Sequence, residues 1–144
     1  MAPDLADLPA RRALDLCLPA LNDVTPLILS RVGDAVAHSS LPHLKDDVQI
    51  VLAEALNNIV EHAYKGGPFG AIALTVTLRD RHVHLCLTDW GHALPDNAVP
   101  RAQGPDPDTL SEGGYGWFLI HALTSEIRYA RIARSNRLTL RFRG

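Results

Sequence analysis

Between Tyr64 and Gly70 the apolar residues of this chain change their period, and that change decides which folds are open to it. Upstream, Val48, Val51, Leu52, Ala55, Leu56, Ile59, Val60 and Ala63 recur at i, i+3 and i+4, the spacing that lays one apolar stripe along a helix. That helix starts after Ser40 or Pro42 and ends at Tyr64, because "KGGP" puts Gly66, Gly67 and Pro68 where a helix cannot continue. Downstream, Ile72, Leu74, Val76 and Leu78 alternate with small or polar neighbours, and Val83, Leu85 and Leu87 alternate with His82, His84 and Cys86. A period of two means strands, and Asp80 and Arg81 form a connection short enough for a hairpin.

The flanking segments extend the pattern. "RRALDLCLP", with Ala13, Leu16 and Leu18, reads as a first, edge strand. "DVTPLILSRVGDAVAHSS" reads as a helix with Thr25 as N-cap and Pro26 at N1. "YGWFLIHALTSEIRYARI" is helical through Leu123 and then a strand, and "NRLTLRFR" sets Leu138, Leu140 and Phe142 on one face. Arg137, Arg141 and Arg143 alternate with that set as a solvated face. This order predicts an α+β fold, a two-layer sandwich whose mixed, mostly antiparallel sheet of about five strands is covered by helices on one face.

At 144 residues the chain suits one domain, taken as residues 11–144 behind a flexible leader of residues 1–10. A net charge of −2 leaves no basic footprint, so direct nucleic-acid binding is not expected. Cys17 and Cys86 lie in separate apolar runs and are expected to be buried free thiols in a reducing compartment. "MAPDLADLPARR" carries acids where a signal peptide would carry bases, and no apolar run reaches about 18 residues, so a cytoplasmic protein without membrane contact is the expectation.

Three short motifs carry chemistry. In "EALNNIVEHAY", Glu54, Asn58 and His62 recur every fourth residue; four residues advance a helix by about 400°, so they form a drifting row bordering the apolar stripe. Asparagine is a mediocre helix former, and Asn57 and Asn58 in mid-helix suggest a task such as offering Mg²⁺ a hard oxygen; a plain wet helix face is the alternative. In "LTDWGHALP", Asp89 ends an apolar strand and Gly91 follows, a turn that suits either a flat ligand with a hydrogen-bonding edge, such as adenine, or simply a chain reversal. In "EGGYGWFLI", Gly113, Gly114 and Gly116 precede a helical run, where backbone N–H groups can face phosphate oxygens. Residues 91–113, with four of the chain's ten prolines, are too long and polar for a plain connection and read as a lid. His82, His84 and Cys86 share one strand face and are read as structural, because no further cluster accompanies them.

Taken in order, E-x-x-x-N-x-x-x-H-A-Y on a helix, D-x-G after a strand, and G-G-x-G opening a later helix resemble the three nucleotide-binding boxes of Bergerat-fold, histidine-kinase-like ATPases. Within that superfamily the chain is most similar to the anti-sigma factor serine kinases of bacterial partner-switching systems, over nearly its whole length. The resemblance implies that Asn58 holds the Mg²⁺ bridging ATP phosphates and that Glu54 is the general base toward a serine hydroxyl. It also implies that Asp89 accepts from the adenine amine with clearance from Gly91, and that Gly114 and Gly116 shape a lid hinge and donate backbone amides. His62 is assigned to packing, and the loop from Asp96 to Glu112 to closure over the nucleotide. Arg101 is a candidate for charge neutralisation.

Ile59, Trp90, Tyr115 and Trp117 are bulkier than that pattern usually carries. The implied cofactors are ATP and Mg²⁺. The implied partners are a small anti-anti-sigma antagonist of the STAS type, a sigma factor or other regulator held captive, and a second copy in a homodimer. The competing function is a nucleotide-regulated module of the same fold that sequesters its partner without transferring phosphate.

Overall fold

The computed structural model describes residues 11–66, 70–101 and 115–144, with only the backbone of Tyr115. The expected leader, Gly67, Pro68, most of the lid, and Gly113 and Gly114 lie outside the described residues. The elements are β1 (Arg11–Pro19), α1 (Thr25–Ala37), α2 (Lys45–Asn58), a π turn (Ile59–Ala63), β2 (Ala71–Arg79), β3 (His82–Asp89), α3 (Tyr115–Leu123), β4 (Glu126–Ile132) and β5 (Ser135–Arg143).

The strands form one sheet in the order β1-β2-β3-β5-β4. Every pairing among the described residues is antiparallel, which corrects the expected mixed sheet. The reason is topological: β4 takes the outer edge and β5 returns between it and β3, so each neighbour runs opposite to the next. The hairpin turn at Asp80 and Arg81 is as the sequence predicts, with Asp80 at φ 49°, a left-handed conformation that a short polar side chain tolerates.

One face of the sheet is the core. Ile72, Leu74, Val76, Val83, Leu85, Leu87, Leu140 and Phe142 meet Val48, Val51, Leu52, Ala55 and Leu56 of α2 and Ile28, Val32 and Val36 of α1. Each of these side chains larger than alanine, fully buried, contributes about 1.5–3 kcal/mol from its removal from water. α2 packs against both α1 and α3 and therefore runs down the middle of the helical layer. The opposite face carries Thr75, Thr77, His84, Cys86 and Thr139, small or polar residues that are half-buried by their strand neighbours.

Local details depart from the sequence reading. Thr25 is the first residue of α1, not its cap, because a 3₁₀ turn over Asn22–Val24 leads in and takes the Thr25 N–H onto the Asn22 carbonyl. The long helix is α-helical only to Asn58; Ile59–Ala63 widen to a π turn before Gly66 ends it at φ 75°. Cys17 is exposed, not buried: Leu14 and Leu18 pack on the core, so alternation sends Cys17 outward on the edge strand. No helix among the described residues is long and apolar enough to cross a membrane.

Candidate functional site

Glu54 and Asn58 lie one turn apart at the C-terminal end of α2. α3 enters against this edge: a Cβ built on Gly116 would lie 2.8 Å from Glu54 Oε2, so the missing side chain lets the start of α3 approach the carboxylate. Glu54 also lines a cavity of about 390 Å³ with Asn22, Thr25, Pro26, Ala53 and Asn57.

The strand β3 delivers Asp89 to the other end of the same edge. A Cβ on Gly91 would sit 2.2 Å from the carbonyl oxygen of Ala63, and the His92 N–H donates to that oxygen at 2.6 Å. Glycine is required here by the approach of helix backbone. The π turn makes the meeting possible, because its wider coil advances each residue through a smaller angle and brings Ala63 back toward the side that Asn58 occupies. At 1.5 Å per residue, the contacts at Glu54 and Ala63 are roughly 13 Å apart along the axis, with Asn58 between them.

Between those ends, the Nδ2 atom of Asn58 is buried and has no hydrogen-bond partner among the described residues. A buried amide nitrogen left without a partner costs about 1–3 kcal/mol, a cost that a ligand at this position would relieve. The two ends of an amide are interchanged by a χ2 flip, so either its oxygen or its nitrogen can occupy that position. With oxygen there the group is a hard ligand, and the donor set fits Mg²⁺. Among the described residues no cluster of three or more His, Cys, Asp or Glu could hold a metal, so a cation here would rest on Asn58 and on oxygens of its own ligand.

Asp89 and Asn136 are the buried polar residues of the described chain, each 5% exposed. Asp89 Oδ1 accepts from the Gly91 N–H at 2.9 Å and from Asn136 Nδ2 at 2.7 Å. Asn136 in turn accepts at Oδ1 from the Tyr129 hydroxyl and from Arg131, whose guanidinium also donates to the Gly91 carbonyl at 2.7 Å. The Tyr64 hydroxyl donates to the Ala71 carbonyl at 2.6 Å and accepts the Trp90 N–H at 2.9 Å, tying the helix end to both neighbouring strands. Sequence reasoning quoted Tyr64 in the helix motif without giving it a task, and it missed Tyr129, Arg131 and Asn136. The one available signal was an asparagine inside a strand, where that residue is depleted.

Burial pushes the Asp89 carboxyl above the ordinary carboxylate range, against the hydrogen bonds from Asn136 and Gly91 and the charge of Arg131. The fold therefore holds this proton more tightly than the unfolded chain does. Stability is greatest below the ordinary carboxylate range and declines as pH rises through the window between the unfolded and folded values. Above that window the whole cost of burying the charge is present. Asp89→Asn keeps the Oδ1 acceptor for both donors and removes the charge, so its melting temperature at about pH 7 is expected to equal or exceed that of the parent. Thermal melts of the two proteins between about pH 4 and pH 8 check this, and a lower melting temperature for the variant at neutral pH would refute it.

Of the sequence-predicted residues, Glu54 and Gly116 meet at one end, Asp89 and Gly91 at the other, and Asn58 lies between. Gly114 lies outside the described residues. His62 is exposed within the π turn, which corrects its assignment to packing, because the widened turn carries it off the row. Arg101 is exposed at the last described position of the expected lid loop, and His121 of α3 bonds the neighbouring Pro100 carbonyl at 2.8 Å. Ile59 is buried and Trp117 packs on the core, whereas Trp90 is 51% exposed. His82 and His84 stand on the outer sheet face, away from Asp89.

Residues 18–142 match the family described as the histidine kinase-like ATPase domain. The serine-protein kinase RsbW of Oceanobacillus iheyensis is 30% identical over 115 residues, 76% of this chain and 72% of that protein. The RsbW protein of Staphylococcus epidermidis is 29% identical over 123 residues, 79% of this chain and 76% of its own length. Among solved structures, the RsbU and RsbW domains of a Mycobacterium tuberculosis protein superpose with a TM-score of 0.64 at 22% identity, covering 94% of this chain and 32% of that one. A blue-light activated histidine kinase from Erythrobacter litoralis shares the fold at a TM-score of 0.53 and 14% identity.

Proposed function

The chain belongs to the histidine kinase-like ATPase domain family, and from that premise we propose that it is an ATP-dependent protein serine kinase of a partner switch. Its substrate is the serine of a small STAS-type anti-anti-sigma antagonist, and its captive is a sigma factor or another output regulator. The observation that carries this reading is the double closure on one helix edge. Gly116 admits α3 to Glu54, Gly91 admits the β3 turn to Ala63, and the Nδ2 of Asn58, without a partner among the described residues, lies between.

Each residue has a task within that edge. Asp89 accepts from the exocyclic amine of adenine, and Gly91, pressed on Ala63, sets the turn that aims it. Asn58 offers its amide oxygen to Mg²⁺, which when bound neutralises phosphate charge. Glu54 faces the cleft with Asn22, Thr25 and Asn57, where the acceptor hydroxyl enters. Its carboxylate takes the hydroxyl proton as the serine oxygen bonds to the γ-phosphorus and the bond to the β–γ bridging oxygen breaks, releasing ADP. Gly116 lets the start of α3 approach Glu54, and backbone amides at Gly114 and Gly116 are assigned to the phosphates.

The test is capture and transfer in one experiment. The purified chain is incubated with cell extract from its source, with and without MgATP, and small captured proteins are mapped for phosphoserine. A captured protein phosphorylated only when MgATP is present supports the reading. Capture that responds to nucleotide with no phosphate on the captured protein establishes the sequestering module instead.

A further inference from the structure

We propose that Asn136 is a positioning residue that fixes which oxygen of Asp89 meets the base and keeps that oxygen an acceptor, so that the start of β5 sets a preference for 6-amino over 6-oxo purines. The inference rests on the nucleotide-site reading above. It begins from the orientation of one amide. Arg131 can only donate, and it meets Asn136 Oδ1 at 2.9 Å; the His92 carbonyl can only accept, and it meets Asn136 Nδ2 at 2.8 Å. Turning the amide over would set donor against donor and acceptor against acceptor at once. The Tyr129 hydroxyl, which takes the Leu94 N–H at 3.1 Å, donates its own proton to Oδ1 and secures the same orientation.

A fixed Nδ2 leaves Asp89 one arrangement. Its Oδ1 receives both Asn136 at 2.7 Å and the Gly91 N–H at 2.9 Å, which uses the two lone-pair directions of that oxygen. Oδ2 has no protein donor among the described residues, so it is the oxygen left for a ligand. An ionised Oδ2 accepts from an exocyclic amine and repels the carbonyl oxygen of a 6-oxo purine. A proton on Asp89 would have to sit on Oδ2, where it would reverse both preferences.

The groups facing Asp89 decide whether that proton is present. β4 contributes Arg131 and Tyr129, the π-turn end contributes Tyr64, β2 contributes only the apolar Ile72, and β5 contributes Asn136. Desolvation favours the protonated form, and the Asn136 hydrogen bond is the largest influence opposing it. Asn136 therefore does two things through one bond: it selects Oδ2 and keeps it charged.

Calorimetric titration with MgATP and MgITP from about pH 6 to pH 8.5 tests this on the parent, Asn136→Ala and Asn136→Asp. ITP differs from ATP only at the 6-position and N1, so the ratio of the two affinities isolates the contact in question. The parent is expected to prefer ATP by at least about tenfold. Asn136→Ala is expected to weaken MgATP binding by about tenfold or more at neutral pH, with the loss deepening as pH falls. MgITP binding should fall less, so the preference narrows. Asn136→Asp has the same shape and keeps the Tyr129 and Arg131 bonds while opposing Asp89 with a second acceptor, so it should narrow the preference at least as far. That variant decides the matter if the alanine protein does not fold.

Two results would overturn the proposal: variants with the parent's affinity and pH profile, or variants that lose both nucleotides equally at every pH, as a purely structural defect would cause. A parent that binds no adenine nucleotide overturns the site reading itself, and this proposal with it.

Discussion

Glu54→Gln is expected to lower the rate of phosphate transfer to the captured serine by about 10²–10⁴-fold, the range over which a positioned general base contributes. Affinity for MgATP should stay within about threefold of the parent, because a group that acts only on the incoming hydroxyl contributes to the transition state and not to the ground state. Glutamine has nearly the shape of glutamate, so the contact with Gly116 and the wall of the cleft with Thr25 and Asn57 are retained. What is lost is the capacity to take a proton. Phosphoserine formation under single-turnover conditions, set beside calorimetric MgATP binding, separates the two effects. Transfer at the parental rate would remove Glu54 from the chemistry. A parallel loss of binding and transfer would mean that Glu54 holds the nucleotide site together.

Much of the fold was legible because it is written in local periodicity. The stripe from Val48 to Ala63 and the alternation through β2, β3 and β5 each need only nearest neighbours on one element to be read. Glu54, Asn58, Asp89 and Gly91 stood out as candidates for a related reason: Glu54 and Asn58 form a polar row beside the stripe, and Asp89 and Gly91 break the pattern where β3 ends. What escaped was set by contacts distant in sequence. Asn136 meets Asp89 only because β5 inserts between β3 and β4, and nothing in "SNRLTL" states that register. Arg131 and Tyr129 reach the same point from β4 because their side of the strand faces the helices while Arg128 faces outward. The π turn has no composition of its own. It follows from the demand that Ala63 meet Gly91, and its consequence was the displaced His62. Cys17 misled because an edge strand buries only one of its faces.

Gly91→Ala is expected to cost about 2–4 kcal/mol of stability, a large share of the 5–15 kcal/mol that holds a domain of this kind together. The added methyl would be placed 2.2 Å from the Ala63 carbonyl oxygen and 2.5 Å from its carbon, both backbone atoms that no rotamer change can move. Relief requires the β3 turn to withdraw from the helix end. Withdrawal stretches the His92 bond to Ala63 and carries away the Gly91 carbonyl that Arg131 holds. It also moves the Gly91 N–H that Asp89 accepts, so the site is damaged along with the fold.

Urea denaturation measures the stability, and Trp90→Ala, at the exposed neighbour, supplies the control, with an expected change within about 0.5 kcal/mol. Ligand linkage then separates packing from function. In the parent, MgATP at 100 times its dissociation constant should add about 2.7 kcal/mol, and the alanine protein at the same MgATP concentration should recover much less because its dissociation constant has risen. An alanine protein that regains the full increment would show that the turn relaxes at no expense to the ligand. Gly91 would then serve the packing of β3 on the helix end and nothing more.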